Sequence, residues 1–98
     1  MASSKEIFGI VNENGTAVVG SGFTSSRLGT GQYAINISSG TFSEPPAVLL
    51  TVDTSTESST YTAVASLHNV TVDSFNVSIQ NLNGNSKDFR FNFLCIGE

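Results

Sequence analysis

Phe75, Val77 and Ile79 alternate without interruption with Asn76, Ser78 and Gln80. A period of two fits a strand with one dry face and one wet face, and no helix. Tyr33, Ile35 and Ile37 repeat the pattern against Ala34 and Asn36, and Phe89, Phe91, Phe93 and Cys95 repeat it again. No window sustains a helical period, and turn signals recur at the spacing of a β-sandwich, about every 8–12 residues. The sequence therefore implies an all-β, antiparallel sandwich of about six to eight short strands. It reads as a single domain over residues 1–98, with 1–6 as a flexible lead.

The remaining strands follow from punctuation. Ile7–Val11 and Ala17–Val19 flank Asn14-Gly15, a pair that tolerates positive φ and so closes a hairpin. Phe23–Leu28 and Tyr33–Ile37 flank the tight turn Gly29-Thr30-Gly31. Pro45 and Pro46 are the only two prolines. Proline fixes φ and gives up a donor, which suits a strand entry, here into Ala47–Val52. Asp53–Thr60 is a polar loop, Tyr61–His68 a strand with Ala63, Ala65 and Leu67 on one face, and Asn69–Asp73 a corner plugged by Val70. Two strands break the one-face rule. Val48, Leu50 and Val52 lie opposite Ala47 and Leu49, and the Phe89–Cys95 series lies opposite Leu94 and Ile96. Apolar residues on both faces ask for a second covering, most simply another copy of the chain.

Charged residues make up only 12% of the chain, and the net charge is −4 with four cations in all. That is too few for a basic stripe, which argues against a nucleic-acid partner. Seven Phe and two Tyr spread through the chain argue against disorder. Cys95 is the lone cysteine, so it offers neither an intramolecular disulfide nor a cysteine-based zinc site, and its alternation with phenylalanines points into the core. The start lacks the charged-then-apolar pattern of a secretory signal, and no run approaches a membrane span. The composition, rich in Ser, Thr and Asn, is that of extracellular or virion-associated β proteins; no membrane insertion is expected.

Ile35-Asn36-Ile37, Phe42-x-x-Pro45-Pro46-x-Val48, Asn69-Val70-Thr71, Ser74-Phe75-x-Val77 and Phe91-Asn92-Phe93-Leu94-Cys95-Ile96-Gly97 stand in one order. Over residues 33–97 this order resembles the H-type lectin family of invertebrate agglutinins and discoidin C-terminal domains. The resemblance implies an antiparallel sandwich that assembles as a homotrimer and binds N-acetylgalactosamine and related sugars near protomer boundaries. The family's ligand arginine falls on Thr62, its tryptophan–histidine pair on Leu82 and Asn83, and its sugar-contacting tyrosine near Lys87. The lead-in Gly20-Ser21-Gly22-Phe23 with Arg27-x-Gly29-Thr30-Gly31-x-Tyr33 is similar to trimeric C-terminal modules of phage tail fibres and bacterial surface proteins.

The loops Asp53–Tyr61 and Asn81–Lys87 are polar, lie at strand ends and carry the side chains that read sugar hydroxyls. Asp53, Tyr61, Thr62, Asn83, Asn85 and Lys87 are therefore the expected ligand-binding residues. No catalytic residue, metal or cofactor is expected. His68 is the only histidine and would need to meet Cys95 to act with it. Asp53, Glu57 and Asp73 lack calcium-loop spacing, and the acids are too scattered in sequence for a glycosidase pair. Four glycosylation-type triplets, beginning at Asn14, Asn36, Asn69 and Asn76, are expected by chance in such a composition. The sequence thus supports a non-catalytic carbohydrate-binding or attachment module. The alternative is a structural trimerisation unit of a tail fibre or surface appendage with no small ligand.

Overall fold

The computed structural model describes residues 4–57 and 61–98. Of the expected flexible lead at 1–6, residues 1–3 lie outside the described residues, as does part of the polar loop, 58–60, whereas Lys5 and Glu6 are already strand. Among the described residues there are eight strands and no helix: β1 Lys5–Val11, β2 Ala17–Gly20, β3 Phe23–Gly29, β4 Gln32–Ile37, β5 Ala47–Asp53, β6 Ala63–His68, β7 Ser74–Asn81 and β8 Arg90–Gly97. They form two antiparallel four-stranded sheets, ordered β2-β1-β8-β5 and β3-β4-β7-β6. β1 begins two residues before its apolar run because Lys5 and Glu6 pair with Gly97 and Ile96. Backbone pairing, rather than side-chain preference, sets that boundary.

The alternating residues meet between the sheets. Tyr33, Ile35 and Ile37 of β4 and Phe75, Val77 and Ile79 of β7 are buried against Phe91, Phe93 and Cys95 of β8, with Val11, Phe42 and Phe89 completing the core. β8 is the hub of the aromatic packing. Phe93 meets Phe23 edge-on at 4.8 Å between centroids and Phe75 at 5.5 Å, Phe91 meets Tyr33 at 5.1 Å, and Phe89 meets Tyr61 at 5.4 Å. Such offset and edge-to-face pairs add about 0.5–1.5 kcal/mol each beyond their burial. The Phe23 ring has room because Gly9 lies beneath it, where a Cβ would collide with Phe23 and Phe93.

The two prolines sit at the entry to β5, an edge strand, where a missing donor costs least. Pro46 is buried, and Gly97 lies against it. Val70 packs on the core from the corner after β6, where Asn69 adopts φ 54°. Leu67 departs from the expected pattern: it is half exposed, lying at the end of an edge strand, whereas Ala63 and Ala65 face inward. Among the described residues no helix is long and apolar enough to cross a membrane.

Phe91 is fully buried at the centre of this packing, so Phe91→Ala is expected to cost about 3–5 kcal/mol, read from the shift of a urea unfolding curve. Burial also pushes the Cys95 thiol up from 9.0 to about 11. The folded chain then keeps a proton that the unfolded chain releases. The corresponding stability is whole below pH 9 and is lost as pH rises through 11. Urea midpoints measured between these pH values should fall less steeply in Cys95→Ala than in the parent chain.

Candidate functional site

One end of the sandwich gathers the C-terminal ends of β1, β5 and β7 and the N-terminal ends of β4, β6 and β8. The β1–β2, β3–β4, β5–β6 and β7–β8 connections therefore meet there. A cleft of about 240 Å³ opens between them, lined by Asn12, Glu13, Asp53, Ser55, Thr56, Glu57, Phe89 and Arg90.

Strand register places the cleft's charged groups. Phe89, Phe91 and Phe93 point into the core, so Arg90 must project from the opposite face, where it stands directly across from Asp53. Arg90 donates through Nε and Nη2 to Asn12 Oδ1, both at 3.4 Å. At 3.4 Å these are long contacts. Asp53 Oδ1 accepts the Ser55 N–H at 2.9 Å, which turns the loop at its start. The Ser55 hydroxyl and amide hold the Asp53 carboxyl below the usual carboxylate range, with Arg90 adding a smaller effect. Phe89 is only 4% exposed and forms an apolar wall.

A second layer flanks that wall. Lys87 Nζ lies 4.9 Å from the Tyr61 ring centre and 5.4 Å from that of Phe89, and 4.0 Å from Glu57 Oε1. The ammonium is thus held over aromatic faces, worth about 0.5–1 kcal/mol at an exposed position. Of the residues expected from sequence, Asp53 lines the cleft, and Tyr61 and Lys87 stand around its Phe89 wall. Asn83 and Asn85 lie in the exposed β7–β8 tip, their amides bonded to Asn81 Oδ1 at 3.0 and 3.1 Å. Leu82, at the same tip, is 71% exposed. Thr62 is exposed beside the start of β6 and is not among the cleft residues.

Asn12, Glu13, Phe89 and Arg90 belong to the cleft without having been singled out. Arg90 carried a signal, as one of four cations and the outward residue of an inward-facing phenylalanine series. The acids Glu13, Asp53 and Glu57, scattered in sequence, line the same cleft. Asp73 lies in the β6–β7 corner, where its carbonyl accepts the Ile37 N–H at the opposite end of β4. Among the described residues no group of three or more His, Cys, Asp and Glu is placed to hold a metal ion. His68 bonds Ser78 Oγ at 2.9 Å on the outer side of the second sheet, whereas Cys95 is in the core.

Behind the cleft, Asp88 fastens three loops. Its Oδ2 receives Arg27 Nε at 2.9 Å and its Oδ1 the Gly31 N–H at 2.7 Å. The Tyr33 hydroxyl donates to the Glu13 carbonyl at 2.7 Å and lies 3.2 Å from Asp88 Oδ1. Burial first, and then the Asp88 charge, raise the Tyr33 pKa well above 10.0, so the hydroxyl remains a donor. Gly31 has φ 68° and sits where a Cβ would strike the Ile79 carbonyl.

Comparison with protein-family models, with curated proteins and with solved structures finds no match to the chain.

The fastening can be probed from both sides. Gly31→Ala must take up a left-handed backbone and displace β7, and should cost more than about 2 kcal/mol in urea unfolding. Tyr33→Phe removes only the hydroxyl and should cost about 1–2 kcal/mol. Equal, negligible shifts in both would show that the loops are not held this way.

Proposed function

We propose that the chain is a non-catalytic carbohydrate-binding attachment module whose ligand occupies the cleft at Asn12, Asp53 and Arg90. The observation that carries this reading is the lining: an arginine, carboxylate and amide acceptors, two hydroxyl side chains and a phenylalanine wall. Vicinal sugar hydroxyls both donate and accept, which suits the polar groups of this lining. At about 240 Å³ the cleft is smaller than a typical drug-sized pocket of about 300–1,000 Å³, which favours one or two sugar units. The resemblance to H-type lectins supports the same class. The residues at positions 62, 82, 83 and 87 differ from that family's contact residues and none of them lines the cleft.

Three carboxylates in one cleft also raise glycoside hydrolysis, which needs one carboxyl kept protonated as general acid. The Ser55 hydroxyl and amide lower the Asp53 pKa, so Asp53 itself does not supply that acid.

A glycan array followed by NMR titration at millimolar sugar should show binding with shifts at Asn12, Ser55 and Arg90. Arg90→Ala should weaken it at least tenfold, about 1.4 kcal/mol, without altering the fold. Turnover of the bound glycan would replace this reading by an enzymatic one. An array blank at every glycan, with the cleft resonances unmoved, would leave the structural-module alternative.

A further inference from the structure

Two Asn-Gly pairs stand in the chain, Asn14-Gly15 and Asn83-Gly84, and in both the glycine takes positive φ, 93° at Gly15 and 82° at Gly84. An asparagine followed by glycine can lose its side-chain amide without an enzyme, because no Cβ on the next residue hinders attack by that residue's backbone nitrogen. The two turns give this chemistry different surroundings. At Asn14-Gly15 the reacting groups are tied down. Asn14 Oδ1 accepts the Thr16 N–H at 3.0 Å, the Gly15 N–H donates to the Asn12 carbonyl at 2.9 Å, and the Gly15 carbonyl accepts the Ser25 hydroxyl at 2.6 Å. Gly15 is also buried, and a Cβ there would strike the Arg27 backbone nitrogen at 2.6 Å. Moving this peptide unit means lifting the β1–β2 turn off β3. Asn83-Gly84, by contrast, lies at the exposed tip between β7 and β8. The Asn83 N–H donates to Asn81 Oδ1 at 3.0 Å, but among the described residues its side-chain amide has no hydrogen-bond partner. A Cβ on Gly84 would meet only Gln80 Oε1, at an ordinary contact distance of 3.8 Å. The Gly84 N–H donates to the Asn81 carbonyl at 3.0 Å, a bond within the turn that can open without moving either sheet.

We infer that Asn83 is a site of spontaneous deamidation in the folded chain, whereas the fold protects Asn14. The Gly84 nitrogen gives its proton to hydroxide and bonds to Asn83 Cγ. The Cγ–Nδ2 bond breaks, ammonia leaves, and a cyclic succinimide closes. Water then adds at either ring carbonyl and opens the ring to an aspartyl or an isoaspartyl residue. Either product carries a new carboxylate, ionised at neutral pH, and makes the net charge one unit more negative than −4. The isoaspartyl form also runs the backbone through the former side chain, which lengthens the turn by a methylene. That displaces the amides of Asn83 and Asn85 from Asn81 Oδ1, their shared acceptor. The new charge appears at the end of the sandwich that holds the cleft, although Asn83 is not one of the cleft residues.

The test holds the purified chain at mildly alkaline pH, native in one sample and in concentrated urea in another. Both are followed by ion-exchange chromatography and by peptide mapping with mass spectrometry. In the native sample an acidic form is expected to accumulate and to map to position 83, with isoaspartate detected by enzymatic methylation. The peptide carrying Asn14 is expected to stay unchanged there and to react in urea, where its turn no longer packs on β3. Asn83→Gln should slow the native acidic form several-fold, because the longer side chain must close a larger ring. If that variant fails to fold, the peptide maps of the parent chain decide alone. Native deamidation at Asn14 as fast as at Asn83 would overturn the inference. So would an intact Asn83 in the native chain once both pairs have reacted in urea, or an acidic form that builds up unchanged in folded Asn83→Gln. None of these readouts depends on what the cleft binds.

Discussion

The structure depends on one ladder of side chains, Phe89 and the inward residues of β8 that follow it. Each of the four aromatic pairs draws one ring from Phe89, Phe91 or Phe93, and the partners come from β3, β4, β7 and the segment entering β6. β8 also takes the backbone hydrogen bonds of both β1 and β5. The same strand therefore organises its own sheet laterally and binds the opposite sheet across the core. In so small a domain, where burial is limited, concentrating contacts on one strand secures a defined interior without an intramolecular disulfide.

The same strand positions the chemistry. Alternation that sends Phe89 and Phe91 inward sends Arg90 outward, toward Asp53 and Asn12. Asp88, two residues before Arg90, holds Arg27 and Gly31 and approaches Tyr33. Three loops that contribute to or support the cleft are fastened by groups one or two residues from its wall. Preorganisation of this kind lowers the ordering cost of binding a small polar ligand.

The sandwich could be read from the sequence because its signal is local. The alternation at Tyr33–Ile37, Phe75–Ile79 and Phe89–Cys95 states which residues are inside, and all three series are buried. Asn14-Gly15 and Gly29-Thr30-Gly31 mark turns where glycines take positive φ at Gly15 and Gly31. The doubly apolar strands, β5 and β8, have Leu49 exposed and Leu94 half-buried on their outer face. The site was less legible. Asp53, Tyr61 and Lys87 lie at the cleft or beside it, but Asn12 and Arg90 meet only because β1 and β8 pair, a long-range fact with no local sign. For the same reason Glu13, Asp53 and Glu57 looked unrelated. Asn83 and Asn85 carried the expected polar chemistry, yet their backbone amides are engaged in closing their own turn.

The pairing of β1 with β8 has a kinetic side. Lys5 lies opposite Gly97 and Val11 opposite Phe91, so almost the whole described chain is enclosed in one loop. The hairpins β3–β4 and β6–β7 close over short distances and can form early. β1 and β5, by contrast, must wait for β8 before either has its central partner. Such non-local pairing places folding in the slow range for small domains, about milliseconds to seconds. During that interval Phe8 and Leu49 sit on strands without their central partner, so unfinished molecules are the ones most exposed to mispairing.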